Sequence, residues 1–153
     1  MANNNSDQEP YELDYQRTHD IDWFFKHDGI YYHVASNGGG VPDFISESKN
    51  KELQQIIRNN TKYRLKIVVN ERYRHLNLES FEFYAKWGFV SIDRLDHNSF
   101  ETQNYVVIAK PCKIGDNQEN LKKLDDDIKI PELEDTNEFL LIVNDMDGQQ
   151  LIP

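Results

Sequence analysis

The stretch "IDWFFKHDGIYYHVAS", residues 21 to 36, decides the fold. Two runs of aromatic and β-branched residues flank Asp28-Gly29, a dipeptide that favours the two-residue turn of a β-hairpin. Pairing about this turn sets His27 opposite Ile30 and Trp23 opposite Val34. Because side chains alternate between the two sides of a strand, this register fixes which residues share a face.

The two faces of the predicted hairpin differ in character. The first is a candidate core and carries Trp23, Phe25, Ile30, Tyr32 and Val34. The second is a mixed aromatic and polar set made of Phe24, Lys26, Tyr31 and His33. We expect this second face to point outward, because aromatic side chains among polar groups are typical of protein-binding surfaces.

A glycine run follows the hairpin in "HVASNGGGVPDF", residues 33 to 44. Consecutive backbone N–H groups before a helix can bind an anion, but the spacing matches neither the phosphate-binding nor the dinucleotide-binding glycine motif. Asp43 would repel a phosphate, and Pro42 suits the first turn of a helix. We expect a flexible strand-to-helix junction with no cofactor. A ligand-binding loop is the alternative.

The rest of the chain predicts an α+β domain. The run "FISESKNKELQQIIRNN" predicts a helix with Leu53, Ile56 and Ile57 at helical spacing, either continuous or broken near Ser48 to Asn50. "YRLKIVVNERY" predicts a strand, and "NLESFEFYAKWG" predicts a helix with Asn77 as N-cap and Gly88 after its end. The runs "FVSIDRL" and "NYVVIAKP" predict two further strands. The order is β-hairpin, α, β, α, β, β, which gives a mostly antiparallel sheet with two helices.

The flanking segments are more polar than this core domain, which we place at residues 20 to 112. Residues 1 to 19 are expected to be flexible. Residues 113 to 137 predict an acidic linker or loop that contains the run Asp125, Asp126 and Asp127. Residues 138 to 145 predict a final strand. That strand completes the sheet edge or pairs with a partner or a second copy, so a homodimer is possible.

The net charge of the chain favours some classes of binding partner over others. The chain of 153 residues has a formal net charge of −10. Such a field repels nucleic acid and anionic membranes and favours a basic protein partner. The N-terminus has no apolar signal core and no stretch approaches the length of a membrane span, so we expect a cytoplasmic protein.

Residues that carry catalytic chemistry are sparse. The only cysteine, Cys112, cannot form an internal disulfide, and the five histidines form no metal-binding pair at helical spacing. The sequence contains no complete catalytic motif. We therefore expect no metal and no catalytic residues, and we favour a function other than catalysis.

Two resemblances bear on function. "FEFYAKWGFVSIDR" followed by "YVVIAKP" resembles the end of the GNAT superfamily of N-acetyltransferases, which implies an acyl-CoA-dependent N-acyltransferase with a truncated fold. "DIDWFF", "HVASNGGGVPDFI" and the same two runs resemble a family of small, uncharacterised single-domain proteins of Bacteroidetes, from Asp20 to Pro111. Proteins of that kind are often immunity proteins, which bind and neutralise a toxin.

The leading hypothesis from the sequence is a non-enzymatic, acidic protein-binding module. An immunity protein that neutralises a bacterial toxin fits best, with a basic nuclease domain as a natural target. The acyl-CoA-dependent enzyme is the alternative. The residues expected to bind the partner are Phe24, Lys26, Tyr31, His33, Asn37, Asp125, Asp126 and Asp127.

Overall fold

A computed structural model of the chain describes residues 8–94, 104–133 and 142–152. Its four helices are α1 (Leu13–Thr18), α2 (Glu47–Arg58), α3 (Glu79–Trp87) and α4 (Gln118–Asp127). Its seven strands are β1 (Asp22–His27), β2 (Ile30–Ala35), β3 (Ile67–Val69), β4 (Val90–Arg94), β5 (Asn104–Pro111), β6 (Ile142–Asn144) and β7 (Gln150–Ile152).

The strands form one curled, mostly antiparallel sheet. Its order is β1-β2-β4-β5-β6-β7, and β3 pairs with β5 outside this path. The pairs β2–β4 and β5–β6 are parallel, and the other four pairs are antiparallel. The α+β class predicted from the sequence is confirmed.

The hairpin has the predicted register. Trp23 pairs with Val34 and His27 pairs with Ile30. Asp28 and Gly29 both have positive φ, at 50° and 76°, as the favoured two-residue hairpin turn requires. The local sequence therefore determines this part of the sheet, because only a short-range turn and strict alternation are involved.

The second face of the hairpin is buried, so the prediction that it points outward is wrong. Phe24 and His33 have no exposed surface, and Tyr31 is 4% exposed. Phe24 and Tyr31 belong to a second core, which also contains buried residues of α2, α3 and α4. The sheet is consequently apolar on both faces, with Trp23 and Phe25 in the core on the other side.

Helix α2 begins later than the sequence predicted. It starts at Glu47 with Ser46 as N-cap, whose side chain accepts a hydrogen bond from the Lys49 N–H, so Pro42 lies before the helix. Helix α3 ends as predicted, because Gly88 takes the left-handed conformation at φ 116°. The N-cap of α3 is Leu78, so the prediction of Asn77 as N-cap is wrong by one residue, although the Asn77 side chain accepts a hydrogen bond from the Glu79 N–H.

The two flanking segments are more structured than expected. The acidic segment contains α4, which buries Leu121 and Leu124, so the prediction of a linker or loop is wrong for this part. The N-terminal segment contains α1, and Gln16 there is buried and accepts a hydrogen bond from the Val41 N–H. In both segments most polar residues are exposed to solvent, whereas a few residues pack against the rest of the domain. Such a helix has a low mean hydropathy although one of its faces is buried.

The final strand lies inside the sheet. Residues 142–144 pair with β5 on one side and with β7 on the other, and residues 138 to 141 of the predicted strand lie outside the described residues. The pairing β5–β6–β7 completes the sheet within one chain. In the described ranges, no helix is long and apolar enough to cross a lipid bilayer.

Candidate functional site

Three of the predicted partner-binding residues meet in one cluster. The Asp125 carboxylate accepts hydrogen bonds from Lys26 Nζ at 2.6 Å, from the Tyr31 hydroxyl at 2.9 Å and from the Ile130 N–H at 2.8 Å. The Asp125 side chain is only 12% exposed. This cluster ties α4 to the hairpin, which is a structural role.

The protonation equilibria in this cluster follow from its geometry. Burial raises the pKa of Asp125, but the hydrogen bonds from Lys26, Ile130 and Tyr31 outweigh burial, so the pKa is lowered. The pKa of Tyr31 is raised by burial and by its bond to the same carboxylate. Asp125 is therefore ionised at neutral pH, and Tyr31 keeps its proton.

The other predicted residues do not join this cluster. Phe24 is buried in the core beneath the helices. Asn37 lies in the turn after β2 at φ 48°, where its N–H donates to the Asp20 carboxylate at 2.8 Å. Asp126 and Asp127 follow Asp125 on α4 and are exposed.

The exposed carboxylates of α4 occupy an electrostatically unfavourable position. Asp126 and Asp127 lie in the last turn of the helix, which has no basic residue. Within the described part of the chain, neither forms an ion pair, although Lys122 and Lys123 are four residues before them. A carboxylate at a helix C-terminus costs roughly 0.3–1 kcal/mol because it faces the negative end of the helix dipole.

The glycine run packs against an arginine. A Cβ on Gly39 would lie 2.5 Å from Arg94 Nη1, and the Arg94 side chain is buried. The Gly39 N–H donates to the Ser36 carbonyl at 2.8 Å, and the Asn37 N–H is taken by Asp20. These N–H groups therefore have acceptors inside the chain, and the glycine at position 39 makes room for Arg94.

His33 was predicted to bind a partner, but it is fully buried and forms the centre of a second polar cluster that was not predicted. His33 Nε2 lies 2.7 Å from Asp22 Oδ1, and its Nδ1 is hydrogen-bonded to Ser91 Oγ. The Tyr84 ring stacks on the imidazole with 3.9 Å between ring centroids. The cross-strand register of β2 and β4, which pairs His33 with Ser91, brings these residues together.

Asp22 connects the His33 cluster to α2. Arg58 donates to Asp22 Oδ2 at 3.0 Å, while Asn50 and Gln54 donate to its backbone carbonyl at 2.8 and 2.6 Å. Burial raises the pKa of Asp22, but His33 and Arg58 outweigh it and the pKa is lowered. The carboxylate is thus a fixed negative charge between an imidazole and a guanidinium.

The Ser91–His33–Asp22 arrangement contains the residue types of a serine hydrolase triad but cannot act as one in this conformation. Ser91 and His33 have no exposed surface, so a substrate cannot reach Ser91 Oγ. The cluster instead satisfies buried polar groups between the sheet and the helices. Sequence spacing could not reveal it, because Asp22, His33 and Ser91 lie on three different strands.

Two of the cavities in the described part of the chain lie next to α2. The larger, about 560 Å³, lies at the start of α2, and its charged lining residues are Asp43, Lys49, Lys129 and Glu132. The smaller, about 400 Å³, is lined by Arg58, Asn77, Glu79, Ser80, Phe83 and Tyr84. Across the described ranges, no group of three or more His, Cys, Asp or Glu side chains could hold a metal ion.

Comparisons of the chain with protein-family models, with curated proteins and with solved structures gave no match.

Proposed function

We propose that this protein is a non-enzymatic binding module for a basic protein partner, and that the last turn of α4 makes the central contact. The observation that supports the proposal most strongly is the position of Asp126 and Asp127. Both are exposed, have no ion pair among the described residues, and lie where the helix dipole disfavours them. Binding a cationic surface would relieve this repulsion.

The scaffold beneath these carboxylates is fixed. Asp125, the preceding residue, is held by Lys26, Tyr31 and the Ile130 N–H. Leu121 and Leu124 anchor the same helix in the core. A surface that is ordered before binding loses little conformational entropy when the partner docks, so a small number of charges can be effective.

The net charge supports the same class of partner. With a formal charge of −10, the chain accelerates encounter with a basic protein and slows encounter with nucleic acid. An immunity protein that neutralises a bacterial toxin is the specific function we favour. A nuclease toxin suits this role because its groove for nucleic acid is basic and would accept an acidic surface.

Affinity capture from the native host tests the proposal. The bait proteins are the wild-type chain, the D126N/D127N variant and a D14N/E52Q control, which removes two exposed carboxylates elsewhere. We expect the wild type and the control to retain one basic protein in stoichiometric amount, and the D126N/D127N variant to lose at least tenfold in affinity. Retention should weaken as salt rises. The toxin assignment further predicts that the captured protein is toxic when expressed alone.

Two results would contradict this function. The first is that no stoichiometric protein partner is captured, or that a captured partner binds D126N/D127N as tightly as the wild type. The second is saturable binding of acetyl-CoA in calorimetry that Gly39→Pro abolishes, since this result would favour the acyl-CoA-dependent alternative. The hydrogen bonds already made by the Asn37 and Gly39 N–H groups support the non-enzymatic function.

A further inference from the structure

The segment that leads into β3 is basic, although the chain as a whole is acidic. The chain contains 27 Asp and Glu residues, but none of them lies between positions 53 and 70. The same stretch contains Arg58, Lys62, Arg64 and Lys66. Arg58 already forms an ion pair. The other three cations have none within the described ranges, so their charges are available to a partner.

These three cations project to the same side of the chain. From position 62 to position 69, exposed residues alternate with half-buried ones, which is the pattern of an extended chain that is covered on one face. Lys62, Arg64 and Lys66 are all on the exposed side, and we call them the basic strip. Val68 follows on the same side and is 39% exposed.

The hydrogen bonds between β3 and β5 show which backbone groups of β3 face away from the sheet. The Lys66 carbonyl accepts a hydrogen bond from the Cys112 N–H at 2.8 Å. The Asn70 N–H donates to the Ile108 carbonyl at 2.7 Å. In an antiparallel pair, alternate residues of a strand bond to the same neighbour. Residues 66, 68 and 70 therefore bond to β5, and the backbone groups of residues 67 and 69 point to the other side.

On that other side, β3 has no neighbouring strand among the described residues. The strand pairs with β5 alone, and no hydrogen bond in the described ranges reaches the N–H or C=O groups of Ile67 and Val69. The Leu65 N–H, one turn of the pleat earlier, donates to the Lys86 carbonyl at 3.2 Å. The free edge of the sheet at this point consequently begins at Ile67.

The basic strip determines which kind of strand this edge can accept. Free strand edges tend to pair with other strands, and lysine side chains on an edge prevent pairing between identical copies. A second copy that paired through β3 would place the basic residues of two chains side by side, whereas carboxylates on an added strand would be attracted. A nucleic acid is disfavoured by the net charge of −10, and its phosphate backbone has no N–H donors for the free carbonyl groups.

We propose that the edge of β3 binds an extended acidic segment of another protein, which pairs as an additional strand with residues 67 to 69. Side chains alternate along both strands, so carboxylates at every second position of the added strand would lie beside the basic strip. The positions between them would lie on the same side as the half-buried Ile67 and Val69, where apolar side chains fit. This surface is separate from the last turn of α4, and its partner has the opposite charge.

Titration of the full chain with a short peptide that alternates glutamate with valine, followed by NMR of the backbone amides, tests the proposal. We expect saturable shifts over residues 62 to 69 and slower hydrogen exchange at the Ile67 and Val69 amides, which gain acceptors. The Val68 amide is an internal control, because it faces β5. A peptide with glutamine in place of glutamate should bind at least tenfold more weakly. A peptide with the same side chains and an N-methylated backbone should not bind, because it keeps its charge but has no N–H donors.

Two variants of the protein separate the basic strip from cations elsewhere on the surface. R64Q/K66Q removes two charges of the strip, and K122Q/K123Q removes two exposed charges of α4. We expect R64Q/K66Q to weaken binding of the glutamate peptide by roughly tenfold, because two exposed ion pairs are lost. The K122Q/K123Q control should bind the peptide like the wild type.

Several results would overturn the proposal. The glutamate peptide fails to saturate, the glutamine peptide binds as tightly, or R64Q/K66Q binds like the wild type. Binding that leaves exchange at Ile67 and Val69 unchanged would mean that no strand is added. Tighter binding of a single-stranded oligothymidylate than of the peptide would favour nucleic acid as the partner. Slow exchange of the same two amides in a concentration-dependent dimer of the free protein would show that a second copy occupies the edge.

Discussion

Replacing Asp125 with asparagine should unfold the protein more easily, and the structure sets the size of the effect. The carboxylate accepts three hydrogen bonds, from Lys26 Nζ, Tyr31 Oη and the Ile130 N–H, at 2.6, 2.9 and 2.8 Å. Asparagine keeps one acceptor oxygen for the Ile130 N–H. Its amide nitrogen, however, would face the Lys26 and Tyr31 donors, and the negative charge is lost.

A hydrogen bond to a charged group contributes about 1.5–3 kcal/mol, and a bond between neutral groups contributes about 1 kcal/mol. The Lys26 side chain is 23% exposed and can partly rehydrate, so its share is reduced. We expect Asp125→Asn to lower the free energy of unfolding by about 2 kcal/mol. Asp125→Ala should cost about 3 kcal/mol, because the Ile130 N–H also loses its acceptor.

The effect should depend on pH with a definite sign. The folded pKa of Asp125 is lowered from 3.8, with burial opposing the shift and the bonds from Lys26, Ile130 and Tyr31 producing it. Its contribution is therefore fully present above pH 3.8 and is lost as pH falls below that value through the folded pKa. The difference in stability between wild type and Asp125→Asn should shrink over the same acidic range.

Urea unfolding at pH 7 and again near pH 3 measures the loss of stability and its dependence on pH. The comparison is valid if the free energy of unfolding falls with urea concentration at the same slope in the wild type and the variant. Asp126→Asn is the matched control, because this neighbouring carboxylate is exposed and has no ion pair in the described ranges. A loss below about 0.5 kcal/mol for Asp125→Asn at pH 7 would refute the reasoning, since that is the range of ordinary surface substitutions.

Two further predictions concern other parts of the molecule. Gly39→Ala should destabilise the protein by about 1–3 kcal/mol in urea, because the new Cβ would overlap the buried Arg94 side chain at 2.5 Å; an unchanged midpoint would exclude that packing. Asp126→Asn and Asp127→Asn should each stabilise α4 by roughly 0.3–1 kcal/mol at low salt, and a decrease in melting temperature would contradict the dipole argument.

Local sequence determined the hairpin and one helix end. The register follows from the Asp28-Gly29 turn and from strict alternation of side chains, and both are properties of neighbouring residues. Gly88 ends α3 because glycine adopts the left-handed conformation without steric cost. The order of strands and helices from β1 to β5, and hence the α+β class, could be read from the same kind of short-range pattern.

The candidate sites depended on contacts between distant residues. Aromatic and polar residues on the second face of the hairpin are compatible with a surface and with a core, and only the packing of α2, α3 and α4 decides in favour of the core. That packing makes His33 a buried residue and Asp125 a partner of Lys26. Neither the burial of His33 nor the pairing of Asp125 with Lys26 can be predicted from the spacing of residues along the chain.

The sequence by itself therefore determined the hairpin register, the fold class and the excess of negative charge. The tertiary structure alone decided that the sheet is covered on both faces, that Gly39 makes room for Arg94, and that Tyr84 and Arg58 meet at one cavity. The physical reason is range. Turns and alternation act over a few neighbouring residues, whereas burial and hydrogen-bond partners are set by packing between segments that are distant in the chain, as for Asp125 and Lys26, which are separated by 99 positions.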